Sequence, residues 1–208
     1  MFPLGTVLFP GMVLPLHVFE TRYRALVSDV LASDREFGVT LITRGHEVGG
    51  GDVRSDVGTL ARVLEAEEFE DGRWLLVAVG RSRLRVVDWL EDDPYPRAVV
   101  ADEPDGPVGP GAAELRDVVA GRLRTVLALR AELGGASAPI ATELAGDPVV
   151  ASHEAAVLAG ANPHDAQRLL VARSAGERLA LLVEVLDATE DLLRFQLGSG
   201  GPPGPPDG

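Results

Sequence analysis

The sequence predicts an α+β protein in which a small, closed or nearly closed β-barrel precedes a bundle of helices. Three observations support this fold class. Short β-rich segments fill the first hundred residues, a stretch rich in proline and glycine follows, and the rest of the chain has helical periodicity. The predicted organisation is a barrel domain at residues 1–103, a linker at 104–111, a helical bundle at 112–197 and a disordered tail at 198–208.

The barrel domain is expected to hold about six short strands and one early helix. Residues 20–31 place apolar side chains at helical spacing and predict that helix, whereas the triple glycine at 49–51 marks the surrounding segment 45–55 as a loop. Strands are predicted at 37–42, 59–69, 73–79, 84–90 and 97–101. Asp71-Gly72 predicts a two-residue hairpin turn that sets Phe69 opposite Trp74.

About four helices are expected after the linker. Residues 112–133 keep one face apolar, and each later helix has a start signal. Asp147-Pro148 and Asn162-Pro163 each pair an N-cap residue with proline at the first helical position. Ser174 with Glu177 forms a capping box at the start of the last helix, which is predicted to extend to about residue 197.

Composition excludes several kinds of chemistry. The chain has no cysteine, so disulfides and thiolate sites are impossible. It also has no lysine, which excludes the phosphate-binding GxxxxGK[ST] loop, Schiff-base catalysis and a Ser-Lys dyad. The amino terminus has no basic region ahead of an apolar stretch, and no window is apolar enough to span a membrane, so a cytoplasmic protein is expected.

The formal charge of −13 is spread evenly, with 18 acidic residues and 11 arginines at 1–104, and 14 acidic residues and 8 arginines at 105–208. Neither half offers the concentrated positive surface that nucleic-acid binding requires. One local exception is Arg81, Arg83 and Arg85, which would form a basic stripe if the strand continued through Gly80. Pairing of these arginines with acidic neighbours is the competing interpretation.

No catalytic or metal site emerges from the remaining polar residues. The four histidines have no pair at a metal-ligand spacing such as i, i+4. They are His17, His46, His153 and His164. Ser152-His153-Glu154 superficially suggests a triad, but neighbouring helix positions point about 100° apart and cannot converge on a substrate. The acidic runs at 65–71 and 91–93 are interpreted as solvated turns, and no cofactor is expected.

The amino-terminal motifs resemble a known family. Residues 2–11 (FPLGTVLFPG), 14–16 (LPL) and 19–23 (FETRY) are similar to the start of the Lon substrate-binding domain, whose pattern is close to FPL-x-x-V-x-FPG-x-x-LPL-x-x-FE-x-RY. Segments 37–39, 57–63, 80–86 and 94–98 resemble later blocks of the family in the same order. The candidate motif for peptide binding or structure comprises Pro10, Gly11, Phe19, Glu20, Arg22 and Tyr23.

The resemblance implies a PUA-like pseudo-barrel followed by helices, as in a stand-alone bacterial member that lacks the ATPase and protease domains. It further implies a non-catalytic module that binds unfolded or hydrophobic polypeptides, as an adaptor or holdase in protein quality control, with a separate full-length Lon protease as a candidate partner. The alternatives are an RNA or small-molecule binder, because PUA-like barrels recur in RNA recognition, and a hydrolase with an unrecognised carboxylate site.

Overall fold

The computed structural model describes residues 1–45, 53–135 and 143–199. It confirms the mixed α+β fold class, with a six-stranded sheet, an early helix and further helices after the sheet. The chain divides into two compact units. Unit 1 comprises Met1–Asp105 with Asn162–Val171, and unit 2 comprises Gly106–Ala161 with Ala172–Gly208. His46, most of the predicted glycine loop and the predicted tail from residue 200 onwards lie outside the described residues.

The sheet of unit 1 has the strand order β1-β3-β4-β5-β2, and β6 pairs with the second half of β5. Its strands are β1 (Phe2–Leu4), β2 (Val13–Val18), β3 (Glu36–Arg44), β4 (Val53–Glu68), β5 (Trp74–Leu90) and β6 (Arg97–Asp102). β1 pairs with β3 in parallel, and the other pairs are antiparallel. β1 and β2 are therefore the two ends of the main strand order.

The core of unit 1 forms between the inner face of this sheet and one helix, α1 (Thr21–Leu31). β2 alternates exposed and buried residues, which sends Leu14, Leu16 and Val18 inward. α1 buries one helical face, made of Tyr23, Leu26, Val27 and Val30. The alternation along β2 and the helical spacing along α1 thus meet in one apolar cluster.

The β4–β5 hairpin is present, but its predicted turn is wrong in detail. Glu68, rather than Phe69, lies opposite Trp74. The Phe69 N–H donates to the Arg73 carbonyl at 2.9 Å, which leaves three residues in the loop, and Gly72 has φ +78°. This geometry is that of a three-residue hairpin with glycine in the left-handed region. Gly72 is the one loop residue with a positive φ, whereas a type I′ turn requires a positive φ at both of its central residues. The loop is one residue longer than a type I′ turn.

β5 is also one continuous strand, where the sequence predicted two strands separated at Gly80. The interruption is a β-bulge instead. Leu60 lies opposite Ser82 and Ala61 opposite Gly80, so Arg81 is the extra residue on β5. A bulge bends the strand without ending its pairing, which explains why a glycine that resembles a break lies within one long strand.

Unit 2 contains the helices α2 (Ala112–Glu132), α3 (Pro148–Ala159) and α5 (Ala175–Gly198). Two predicted N-caps are formed as expected. The Asp147 side chain accepts from the Val149 and Val150 N–H groups, and the Ser174 side chain accepts from the Glu177 N–H. The buried Arg178 guanidinium donates to the Ser152 hydroxyl at 2.7 Å, which joins α5 to α3.

The division of the chain differs from the prediction at one helix. Residues 112–197 were expected to form one bundle, but α4 (Pro163–Val171) belongs to unit 1. Its Gln167 side chain donates to the Ser55 hydroxyl at 2.7 Å and to the Val57 carbonyl at 3.0 Å, both on β4. Helical periodicity identifies an apolar face, but it does not specify which surface covers that face.

Candidate functional site

A groove of about 220 Å³ opens on unit 1 beside β1 and β2. Its walls are residues 2–4 of β1, residues 15–18 of β2, and Phe19, Glu20 and Tyr23 at the start of α1. Within the described part of the chain, β1 pairs only with β3 and β2 only with β5. The groove is therefore bordered by two edge strands. Pro15, which has no N–H to donate, is a residue typical of such an edge.

The predicted FETRY segment contributes to this groove in two ways. Tyr23 is buried and stacks on Phe2 with ring centroids 4.3 Å apart, so it anchors the floor of the groove to the core. Arg22 lies over the Tyr23 ring at 4.5 Å, and its Nε donates to the Glu20 carboxylate at 3.1 Å. Phe19 is 56% exposed at the rim. Phe19 is thus the member of the segment that presents a large apolar side chain to solvent.

His17 extends the aromatic rim and was missed as a groove residue by the sequence reasoning, which considered it only as a metal ligand. Its ring centroid lies 6.3 Å from that of Phe19 and 6.5 Å from that of Phe69. The signal that could have identified it is the alternation of β2, in which residues 13, 15 and 17 are the exposed positions. The three rings connect the groove to the tip of the β4–β5 hairpin.

Pro10 and Gly11 lie outside the groove lining and form a tight turn. The Met12 N–H donates to the Phe9 carbonyl at 3.0 Å, and Gly11 has φ +82°, which is the geometry of a type II turn. Gly11 also donates its N–H to the Gly80 carbonyl at 2.9 Å. A Cβ on Gly80 would collide with the Phe9 carbonyl oxygen. These residues position β2 against β5, and that alignment shapes one wall of the groove.

The predicted basic stripe does not form an open positive surface. Arg83 is only 3% exposed, and it donates to the Leu170 carbonyl at 2.8 Å and to the Pro104 carbonyl at 3.2 Å. It also forms an ion pair with Asp105 at 3.1 Å. The sequence could not indicate that the middle arginine is covered by α4 and by the segment after β6, because both are distant along the chain.

The neighbouring arginines of the stripe differ from Arg83. Arg85 is paired with Glu103 through two hydrogen bonds of 2.7 Å. These bonds hold the pKa of the Glu103 carboxyl below its ordinary value. Arg81 is exposed at the bulge. The competing interpretation, in which the arginines pair with acidic neighbours, therefore describes Arg83 and Arg85.

The other polar clusters offer no reactive geometry in the described residues. Ser152 is fully buried, where its hydroxyl donates to the Val149 carbonyl at 2.8 Å and accepts from Arg178. His153 is buried as well. Within residues 1–45, 53–135 and 143–199, no three histidine or acidic side chains are grouped as metal ligands. None of the helices described is both long and apolar enough to cross a membrane.

Comparison with known proteins gives consistent matches along the chain. Residues 1–188 match the family model of the ATP-dependent protease La (LON) substrate-binding domain. A Lon protease of Anaeromyxobacter dehalogenans is 30% identical over 199 residues, which is 92% of this chain and 23% of that protein. A Lon protease of Desulfosudis oleivorans is 35% identical over 100 residues, covering 46% of this chain and 12% of that protein. The chain thus spans less than a quarter of each relative's length.

Solved structures agree with this match. The crystal structure of a Lon N-terminal domain protein from Xanthomonas campestris superposes with a TM-score of 0.62 at 25% identity, covering 88% of this chain and 95% of that one. The N-terminal domain of a Mycobacterium avium complex Lon protease shares the fold, with a TM-score of 0.64 at 18% identity and coverage of 89% and 96%. With a family model matched over most of its length, the chain belongs to the Lon substrate-binding domain family.

Proposed function

We propose that this chain is a non-catalytic module that binds exposed apolar segments of unfolded or hydrophobic polypeptides, as an adaptor or holdase in cytoplasmic protein quality control. The observation that supports it best is the groove on unit 1, whose lining residues are mostly apolar, with an exposed Phe19 at its rim. Burial of a client's side chains against such a surface supplies affinity that does not depend on charge. The substrate-binding role of the matched family points in the same direction.

The geometry favours a bound polypeptide over a small polar ligand. The groove is bordered by edge strands, where an extended chain can lie alongside, and its rim carries His17, Phe19 and Phe69. Exposed aromatic rings are enriched at surfaces that bind other proteins. We expect an affinity of roughly micromolar for one client segment, since one short groove buries few side chains.

The absence of lysine supports a non-catalytic role for this chain. A Walker A ATPase and a Ser-Lys protease both need a lysine, and the 208 residues contain none. A separate full-length Lon protease, which could receive bound clients, is the partner that we propose. Association with that enzyme is tested by co-purification from the native cells, in which recovery of a Lon protease at stoichiometric yield is expected.

The groove itself is tested by titrating a labelled hydrophobic peptide into the protein and following fluorescence anisotropy. We expect Phe19→Ala to raise the Kd about tenfold, since truncation of an exposed aromatic anchor commonly costs about 1–2 kcal/mol. Phe195→Ala is the matched control, because Phe195 is 72% exposed on α5 in unit 2. Its Kd should stay within about twofold of the parent value.

Two further outcomes distinguish polypeptide binding from the alternative function, RNA binding. Binding of an uncharged hydrophobic peptide should hold or strengthen slightly as salt rises, because apolar burial is not screened. Tight binding of a single-stranded RNA that falls steeply with salt would instead indicate phosphate contacts and would contradict the proposal. Equal loss of peptide binding in Phe19→Ala and Phe195→Ala would show that the groove is not the binding site.

A further inference from the structure

The groove continues onto the outward face of the neighbouring strands. Cross-strand pairing places His17 of β2 opposite Leu75 of β5, and Leu75 opposite Glu67 of β4. The next row runs from Pro15 through Val77 to Glu65. Both rows are outward-facing, because the intervening residues of β5, Leu76 and Ala78, are buried. Since Pro15 and His17 line the groove, one surface leads from the groove across β5 to two carboxylates.

These carboxylates are not neutralised within the protein. In the described part of the chain, Glu65, Glu67, Glu68 and Glu70 form no ion pair with a basic side chain. The basic group at the hairpin tip, Arg73, is already paired with Asp71 at 2.7 Å. A hydrogen bond from the Arg73 backbone N–H lowers the pKa of Asp71, and the charge of Arg24 lowers it further. The surface beside the groove therefore keeps an excess of negative charge.

The spacing places this charge within reach of a peptide in the groove. Neighbouring strands lie about 4.8 Å apart, so the carboxylate row of β4 is roughly 10 Å from β2. That distance is about one Debye length at 0.1 M salt and less than one at lower ionic strength, so the field of Glu65 and Glu67 reaches the groove at low salt. The strand between them is apolar at Leu75 and Val77. A bound segment thus meets apolar surface first and carboxylates next.

We propose that this surface selects polypeptide segments in which apolar residues are flanked by lysine or arginine, and that Glu65 and Glu67 determine this preference. The inference rests on the polypeptide-binding function proposed above and names the class of segment that is bound. Charge complementarity decides the occupant. A second copy of this chain fits less well, because it carries a net charge of −13, with 32 acidic residues against 19 arginines.

The test uses three labelled peptides with one apolar core, flanked on both sides by lysine, by glutamine or by glutamate. At about 0.05 M salt we expect the lysine-flanked peptide to bind about tenfold more tightly than the glutamate-flanked one, with the glutamine-flanked peptide between them. At about 1 M salt, where the Debye length is about 3 Å, the ratio should fall to about twofold or less. The glutamine-flanked peptide should keep its affinity.

The double variant Glu65→Gln with Glu67→Gln locates the effect. We expect it to reduce the lysine-over-glutamate ratio to about threefold or less while leaving the glutamine-flanked peptide unchanged. The matched control is Glu91→Gln with Asp93→Asn, which makes the same change in net charge at two exposed positions of another turn. This control should keep the ratio of the parent protein. The salt series on the parent protein tests the preference even if the double variant folds poorly.

The possible outcomes distinguish failure of this inference from failure of the proposed polypeptide-binding function. If all three peptides bind equally at low salt, the preference does not exist, whereas the polypeptide-binding function stands. If the control variant loses the ratio as fully as the double variant, net charge and not this surface is responsible, and the inference is overturned. If the glutamine-flanked peptide does not bind, the proposed function fails, and the inference fails with it.

Discussion

Replacement of Arg83 by methionine should destabilise unit 1 far more than the same replacement of Arg81, although the two residues are near neighbours in β5. Methionine keeps an unbranched apolar stem of similar reach and removes only the guanidinium. Arg83 is buried and holds three partners, whereas Arg81 is exposed at the bulge. The pair therefore tests whether the covered arginine maintains the packing of α4 on the sheet.

The expected loss in the free energy of unfolding follows from the polar groups that lose their hydrogen-bond or ion-pair partner in Arg83→Met. Without the guanidinium, the Leu170 and Pro104 carbonyls lose donors at 2.8 and 3.2 Å, and the Asp105 carboxylate loses an ion pair at 3.1 Å. Removal of one member of a buried ion pair costs about 3–5 kcal/mol, because the remaining charge stays buried and uncompensated. We expect a loss in this range for Arg83→Met and a change within about 0.5 kcal/mol for Arg81→Met.

The assay is urea unfolding followed by tryptophan fluorescence at neutral pH. Both tryptophans, Trp74 and Trp89, lie in β5, so the signal reports unit 1. At a slope of about 1–2 kcal/mol per molar urea, the expected loss lowers the midpoint by about 1.5 M or more. Equal midpoints for Arg83→Met and Arg81→Met would refute the reasoning. So would an Arg83→Met protein that is as stable as its parent.

Three other predictions concern glycines, a helix cap and pH. Gly80→Ala should cost unit 1 about 1–3 kcal/mol in the same urea assay, because the added methyl group collides with the Phe9 carbonyl. In α2, by contrast, the methyl group of Gly121→Ala meets nothing within 4 Å. This substitution should stabilise the protein by about 0.5–1 kcal/mol, as measured by thermal unfolding. Asn162→Ala should cost about 1 kcal/mol, since the Asn162 side chain accepts from the Asp165 N–H at 3.0 Å; an unchanged urea midpoint would contradict this. The hydrogen bond from Arg168 lowers the pKa of Asp165, so the stability that this carboxylate contributes is present above its unfolded pKa and is lost as the pH falls through the folded value. Asp165→Asn should therefore flatten the decline in stability as the pH falls below about 4.

Local chemistry was predictable wherever a few neighbouring residues decide the conformation. The Asp147 and Ser174 caps, the early helix and the existence of the β4–β5 hairpin were all expected from short-range patterns and are present. The Pro10-Gly11 turn was predictable for the same reason, since proline and glycine restrict or permit the φ angles that a type II turn requires. The hairpin turn was predicted one residue too short, because Asp71-Gly72 is compatible with both loop lengths.

The groove could be predicted only in part. Glu20 and Tyr23 were identified from the FETRY motif together with Phe19, and the structure brings these three residues into the lining. His17 was missed, because its place in the groove depends on β2 being an edge strand of the sheet. A local sequence pattern does not specify strand order. The acidic run at 65–71 was interpreted as solvated, and its position beside the groove emerges only from the register of β4, β5 and β2.

By itself, the sequence determined the fold class, the family, the charge and the chemistry that the absence of lysine and cysteine excludes, because composition and short motifs express these directly. Tertiary structure alone decided the burial of Arg83, the assignment of α4 to unit 1 and the groove between two edge strands. The bond from Arg83 to the Leu170 carbonyl spans 87 residues of sequence. Such contacts depend on which surfaces meet when the chain packs, and local propensity contains no term for a partner so far along the chain.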